Sequence, residues 1–253
     1  MKYTVITGAS SGIGYATALA FAERGKNLIL AARREDKLEE VKDEVLKINK
    51  DLAVVLKPVD LSIAENVHAF YDSLKGFELE TWINNAGFGN FASIGEQNLT
   101  KIESMLHLNI GALTILSSLF VRDYEHVEGA QIINVSSVGG YIMISDFVTY
   151  SATKFYVNAF TEGLAQELKL RGSKMQAKVL APAVTKTEFE LRSLERDEFQ
   201  YEGHFPKFHT SKEMAGFMLA LFDSDKTVGI VDESTYDFYL KDPIFPFRGF
   251  ENK

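Results

Sequence analysis

Short β-branched runs alternate with longer stretches of helical apolar spacing, and that alternation limits the fold more than any other feature of the chain. Lys2–Thr7, Asn27–Ala31, Ala53–Val59, Thr81–Asn84, Gln131–Val135, Gln176–Ala181 and Val228–Val231 read as strands. Between them, Gly12–Arg24, Glu35–Asn49, Ser62–Leu74, Thr100–Asp123, Thr149–Arg171 and Ser211–Phe222 carry a helical period. In the second of these, Leu38, Val41, Val45 and Ile48 share one face. Strands separated by helices are joined by crossovers and run parallel, which gives a three-layer, doubly wound α/β sheet. Strands as apolar as Thr4–Ile6 and Ile132–Val135 suit a sheet covered on both faces. The pattern continues unbroken to about residue 231, so one domain over 1–253 is expected.

Two segments fall outside the alternation. Residues 189–210 hold Phe199, Tyr201, Phe205 and Phe208, and read as a lid over a substrate, with a packing or subunit-contact role as the alternative. The tail, 232–253, carries Pro243 and Pro246 among aromatics and reads as irregular.

Composition removes several function classes. The 253 residues include no cysteine, which excludes a disulfide scaffold, a thiolate metal site and a cysteine nucleophile. A net charge of −8 is a poor footprint for a nucleic-acid binder. The five histidines form no metal-ligand spacing, so no metal is expected. The apolar stretch Ile110–Val121 is shorter than the ~20 residues of a membrane span, and reads as a buried helix. No basic segment followed by an apolar one opens the chain, and a cytoplasmic location is expected.

The first strand runs into Thr7-Gly8-Ala9-Ser10-Ser11-Gly12-Ile13-Gly14 and then a helix. Gly8 permits the tight turn, Gly12 lets backbone approach a pyrophosphate, and Gly14 lets helix pack on strand. The helix N-terminus offers N–H groups and partial positive charge to the anion. The second strand ends at Ala31-Ala32-Arg33-Arg34. Ala32 removes the carboxylate that an NAD site places by the ribose, and Arg33 supplies a guanidinium for a 2′-phosphate, so NADP(H) is expected over NAD(H). A solvated pair at the entry of the next helix is the alternative for Arg33 and Arg34.

Further along, Asn134-Val135-Ser136-Ser137 ends a strand, and Tyr150-Ser151-Ala152-Thr153-Lys154 follows. Tyr150 and Lys154 lie one helical turn apart on one face. An ammonium there favours phenolate and is expected to draw the phenol toward neutrality. Ser137 is placed to hold the same substrate oxygen.

With these residues in view, the chain resembles the short-chain dehydrogenase/reductase family, in its compact single-domain branch, over roughly residues 2–231. The motifs are TGASSGIG (7–14), Asn84-Asn85-Ala86-Gly87, the asparagine of His107-Leu108-Asn109, the serine of NVSS and YSATK (150–154). The resemblance implies a Rossmann-type fold with a seven-stranded parallel sheet in the order 3-2-1-4-5-6-7. It implies a catalytic tetrad of Asn109, Ser137, Tyr150 and Lys154, the asparagine helping to hold a water that links the lysine to a proton relay. Beyond Gly8, Ser10, Ser11, Gly12, Ile13, Gly14, Arg33 and Arg34, it assigns cofactor contacts to Asp60, Leu61, Asn85, Ala86, Gly87, Tyr150, Lys154, Pro182, Ala183, Thr185 and Thr187. Where the family has Pro-Gly after the sixth strand, this chain has Pro182-Ala183, and a slightly altered turn is expected.

The implied activity is reversible hydride transfer between NADP(H) and a carbonyl or secondary alcohol. Substrate contacts fall by resemblance on Phe88, Ser137, Tyr141, Met143, Tyr150 and Phe189, with Phe91, Gly139 and Leu191 nearby. They are mostly apolar, and an apolar or aromatic carbonyl compound is expected. Family members pair the helices matching Thr100–Asp123 and Thr149–Arg171, which implies a homodimer or homotetramer. Two rivals are a non-catalytic NADP-binding sensor or scaffold and a reductase of carrier-bound 3-oxoacyl groups. The first would be expected to lose tetrad residues. The second would want a basic site mouth to meet an acidic carrier, whereas Arg122–Glu128 is mixed in charge.

Overall fold

In the computed structural model, which describes residues 1–249, the chain builds one eight-stranded sheet. The elements in order are β1 (Lys2–Thr7), α1 (Gly12–Glu23), β2 (Asn27–Ala32), α2 (Glu35–Ile48), β3 (Val54–Pro58), α3 (Ala64–Asp72), β4 (Glu78–Asn84), α4 (Leu99–Tyr124), β5 (Gln131–Val135), α5 (Val148–Leu170), β6 (Gln176–Ala181), α6 (Phe189–Leu194), α7 (Ser211–Asp223), β7 (Val228–Val231) and β8 (Phe238–Lys241). Across the sheet the order is β3-β2-β1-β4-β5-β6-β7-β8. The first seven strands are parallel, as the sequence leads one to expect, and β8 pairs antiparallel with β7.

The period-two alternation of the strands sorts side chains between two cores. Ile6, Leu28, Leu30, Ile83 and Ile133 point to the face covered by α1, α2 and α7. Their neighbours Val5, Ile29, Trp82 and Ile132 point to the face covered by α3, α4 and α5. On that second face Trp82 packs within 5.9 Å (centroid to centroid) of Phe70, Tyr71 and Phe120. Truncating a ring in such a cluster costs roughly 3–5 kcal/mol.

Polar groups also cross the core. The Trp82 indole donates to Asn84 Oδ1 (2.7 Å), Asn84 Nδ2 donates to Ser117 (3.1 Å) and Asn134 (2.9 Å), and Asn134 Nδ2 donates to Thr161 (2.9 Å). This chain of buried bonds fixes β4 and β5 to α4 and α5, the four elements that carry the chemistry. On β6, buried Lys178 donates to the carbonyls of Leu221, Phe222 and Ser224 at 3.0, 2.9 and 2.7 Å. It thereby caps the C-terminus of α7, where a cation suits the helix dipole.

One expectation needs correction, and two further segments are defined more closely. The tail is not wholly irregular: Phe238–Lys241 forms β8, and Glu162 of α5 holds the chain beyond it by accepting from the backbone N–H groups of Ile244 and Phe245 (2.8 Å to the latter). Residues 250–253 of that tail lie outside the described residues. The segment 189–210 opens with a helix, α6, and ends in a two-residue parallel pairing of Thr185–Lys186 with His209–Thr210. Finally, α4 spans 26 residues, long and apolar enough by length and composition to cross a bilayer. In this fold its Leu113, Leu116, Ser117 and Phe120 are buried. Its middle turn, His107–Ala112, is π-helical rather than α-helical.

Candidate active site

After β3 the strand order switches to the other side of β1, where β4 is added, so the connections leaving the C-terminal ends of β1 and β4 diverge into a crevice, the usual ligand position in such sheets. Here the crevice is a cleft of about 690 Å³. Its lining includes Gly8, Ser10, Ser11, Gly12, Ile13, Arg33, Arg34, Asp60, Leu61, Asn85, Ala86, Gly87, Pro182, Ala183, Thr185 and Thr187 from the expected cofactor contacts. Gly14 stands behind this wall rather than in it.

The wall is set by backbone. A Cβ on Gly14 would lie 2.3 Å from the Gly8 carbonyl oxygen, and Gly8 itself has φ +66° with room for no side chain against Ala86. Asn85 Nδ2 donates to the carbonyls of Thr7 (3.0 Å) and Gly8 (3.1 Å), while Thr7 Oγ1 accepts from the N–H groups of Asn85 (3.0 Å) and Ala86 (3.1 Å). Those bonds clamp the end of β1 to the end of β4. Ser11 begins α1 with no side-chain capping bond and no acidic residue follows in the first turn. The first-turn N–H groups are thus left for an anion, and the glycine cradle admits one. The residues present fit a dinucleotide.

At the adenosine end, Arg33 Nη1 lies 3.9 Å from Asp60 and is more than half exposed. Asp60 is already engaged by the N–H (2.9 Å) and hydroxyl (2.6 Å) of Ser62. Arg34 instead reaches across the cleft to Glu188. At the other end, Ala183 avoids positive φ altogether, so alanine in place of glycine introduces no left-handed strain there.

Past that end lie three tetrad residues. Ser137 follows β5, Tyr150 and Lys154 share the inner face of α5, and all three line the cleft. Gly140 brings them together: a Cβ there would lie 2.5 Å from the Lys154 carbonyl and 2.4 Å from Asn158, so only a bare backbone lets the turn after Ser137 sit against α5. Ser136 Oγ then donates to the Lys154 carbonyl (3.1 Å). Asn109, the fourth residue, is buried in the π-helical turn. It donates to the Phe88 carbonyl (2.9 Å) and Thr153 Oγ1 (3.2 Å) and accepts from the Phe88 N–H (3.2 Å). It backs the cleft rather than lining it. The spot a Gly87 Cβ would occupy is 3.1 Å from Asn109 Oδ1 and 3.7 Å from Lys154 Nζ, so both polar groups meet behind Gly87.

The electrostatics correct one expectation. Lys154 does not draw the phenol toward neutrality here. Burial pushes Tyr150 above its ordinary value, while a hydrogen bond with Ser137 acts against that rise. Burial also pushes Lys154 down to about 8. The ammonium donates to the Val135 carbonyl at 3.0 Å and stands 5.6 Å from the Tyr150 ring centroid. Burial of both groups dominates in this arrangement, and Tyr150 rests as a protonated phenol, a proton donor.

On the substrate side the outcome is mixed. Phe88 and Phe189 line the cleft beside Tyr150, as does Leu191. Tyr141 and Met143 do not. The Tyr141 hydroxyl turns inward to Glu162 (2.5 Å) and its ring stacks on Phe245, while Met143 is 65% exposed. The structure adds several lining groups that the sequence does not single out. Phe147 stacks on Tyr150 with centroids 4.4 Å apart, and Phe189 closes the other side at 5.3 Å. Glu190 faces the cleft, held by the Tyr201 hydroxyl, and burial raises its carboxyl. Lys101 pins α6 through Glu195 (2.7 Å) and the Arg192 carbonyl (3.1 Å).

The sequence profile of the short chain dehydrogenases matches residues 2–198. The chain belongs to the short-chain dehydrogenase/reductase family. This short-chain dehydrogenase is 32% identical over 189 residues to an uncharacterized oxidoreductase of Staphylococcus saprophyticus, covering 74% of this chain and 75% of that one. It superposes with a TM-score of 0.84 and 29% identity on a short-chain dehydrogenase from Sphingobium yanoikuyae in complex with NADPH, covering 93% of this chain and 89% of the other. A bulky-bulky ketone specific alcohol dehydrogenase from Comamonas testosteroni gives 0.79 and 26%, over 91% and 86%. The protein is therefore an oxidoreductase of the CH–OH/C=O class.

Proposed function

We propose that the enzyme interconverts an apolar carbonyl compound and its secondary alcohol, with NADP(H) preferred over NAD(H). The observation that carries this is one continuous cleft with an anion cradle at β1–α1, two arginines at the end of β2, and Ser137, Tyr150 and Lys154 at its far end. When bound, the dinucleotide supplies or takes the hydride. Tyr150, protonated at neutral pH, gives its proton to the carbonyl oxygen as negative charge develops there. Ser137 holds that oxygen by a hydrogen bond. Lys154, fixed by the Val135 carbonyl, is the cation beside both. General acid catalysis of this kind contributes about 10²–10⁴-fold.

Arg33 and Arg34 with no carboxylate at the end of β2 support the cofactor preference, as does the relative seen with NADPH. Phe88, Phe147 and Phe189 support an apolar or aromatic substrate, and so does the relative that acts on bulky-bulky ketones. Homodimer or homotetramer assembly completes the proposal, since α4 and α5 expose Leu99 (71%), Leu106, Val148 and Tyr156. Light scattering on the purified protein tests that assembly.

The functional test is dinucleotide oxidation over a panel of aryl ketones, aliphatic ketones and sugars, run with NADPH beside NADH. Turnover of apolar ketones with NADPH ahead is expected. Turnover confined to polyols or charged sugars overturns the substrate class, and equal rates with NADH overturn the cofactor preference.

A further inference from the structure

The two arginines after β2 are not equivalent. Arg33 is loosely paired and more than half exposed. Arg34 is held by both prongs of its fork: Nη2 to Glu188 Oε2 at 2.9 Å and Nη1 to Oε1 at 3.4 Å. The same Nη2 lies 3.4 Å from Ser10 Oγ, in the glycine loop. Glu188 also accepts from Arg192 Nη2 at 2.5 Å, so one carboxylate serves two guanidinium groups. Burial alone would raise the Glu188 carboxyl, but Arg34 and Arg192 hold it below the ordinary carboxylate value, and it is charged at neutral pH. An acidic side chain thus engages one of the two guanidinium groups that follow β2.

We propose that Glu188 tempers the NADP(H) preference of this site, by occupying the Arg34 guanidinium that a 2′-phosphate would otherwise take and by opposing that phosphate with its own charge. The proposal rests on the reading that the cleft takes a dinucleotide. Arg33 is then the standing anchor for the 2′-phosphate, and Arg34 is a second anchor withheld by an internal competitor. Bidentate guanidinium–carboxylate pairing is the geometry that a phosphate must displace. A nucleotide lacking the 2′-phosphate has nothing to gain from Arg34, so the carboxylate acts on one cofactor and spares the other. The device costs NADPH affinity and leaves NADH binding alone, which narrows the gap between them.

The experiment measures dissociation constants of the cofactor-free protein for NADPH, NADH and 2′-phospho-AMP by calorimetry. Glu188→Gln keeps the size of the side chain, removes its charge and leaves one acceptor oxygen where there were two. NADPH and 2′-phospho-AMP should bind about five- to tenfold more tightly to the variant, with NADH changed by less than about twofold. In an Arg34→Gln background the same substitution should gain less than about twofold for NADPH, because the contested group is gone. NADPH binding that is unchanged or weaker in Glu188→Gln overturns the proposal. So does an equal gain for both dinucleotides, which would place the carboxylate's effect on the shared pyrophosphate. If the wild-type chain binds neither dinucleotide, the reading of the cleft falls, and this proposal with it.

Discussion

The two walls of the cleft are built from different material. The wall under the cofactor is backbone: Gly8, Gly12 and Gly14 in a turn, clamped to β4 through Thr7 and Asn85. The wall over the substrate is side chain: Phe147 and Phe189 against Tyr150, with Lys101 tying α6 down through Glu195 and Arg34 through Glu188. A backbone wall demands particular residues within a few positions, and little substitution is tolerated. A side-chain wall needs only that apolar surface be filled and charges be paired, which many sequences do. The first kind fixes what every bound dinucleotide meets. The second kind is free to vary, and sets which carbonyl enters.

The harshest way to break the backbone wall is Gly14→Val. Its Cβ would meet the Gly8 carbonyl at 2.3 Å and Asn85 at 2.4 Å, so the loop must move. We expect a stability loss on the order of 3 kcal/mol or more and no measurable NADPH binding, read by chemical denaturation and by calorimetry. A variant that folds and binds normally would show that the cradle is not fixed by its glycines.

The junction of the two walls is sharpened by pH. An unfolded chain protonates the Lys154 amine up to its ordinary 10.5, and the folded protein only up to about 8. Between those values the unfolded state binds the extra proton, so stability rises with pH across that window, by up to about 3 kcal/mol from this residue. Lys178, also pushed down to about 8 by burial, adds to the rise. Denaturation of Lys154→Met between pH 8 and 10 should show a shallower rise than wild type. An equal slope would mean that the buried amine carries no such cost.

The smallest expected effect lies on the side-chain wall. Phe189→Ala should raise KM for an apolar ketone by about three- to tenfold while leaving the NADPH dissociation constant within about twofold, since only substrate-facing surface is lost. A matching loss in cofactor binding would erase the distinction between the walls.

That distinction also explains what was legible beforehand. The alternation of strand and helix, the glycine cradle and the Tyr150–Lys154 face depend on local period and on glycine, and both stand in the sequence itself, whereas the strand order came through the family resemblance. The pairing of Arg34 with Glu188 joins residues 154 positions apart, and no spacing announces it. Tyr141 was misplaced because its turn outside the cleft depends on Glu162 and Phe245, which α5 and the tail supply from far away. The π-helical turn at Asn109 escaped notice because its apolar period continues through it. Strand β8 escaped because its Phe238–Lys241 run sits in a segment punctuated by prolines and lacks a helix before it. The rise of the Tyr150 phenol followed from burial between Phe147 and Phe189, a property of packing that the one-turn spacing to Lys154 does not contain.

The central claim is that Tyr150 is the proton donor of a carbonyl reductase. Tyr150→Phe removes one oxygen and keeps the ring between Phe147 and Phe189. Measured on the ketone that wild type turns over best, kcat should fall by about 10²–10⁴-fold while the NADPH dissociation constant stays within about twofold. Turnover close to wild type in a variant that still binds NADPH would contradict the account.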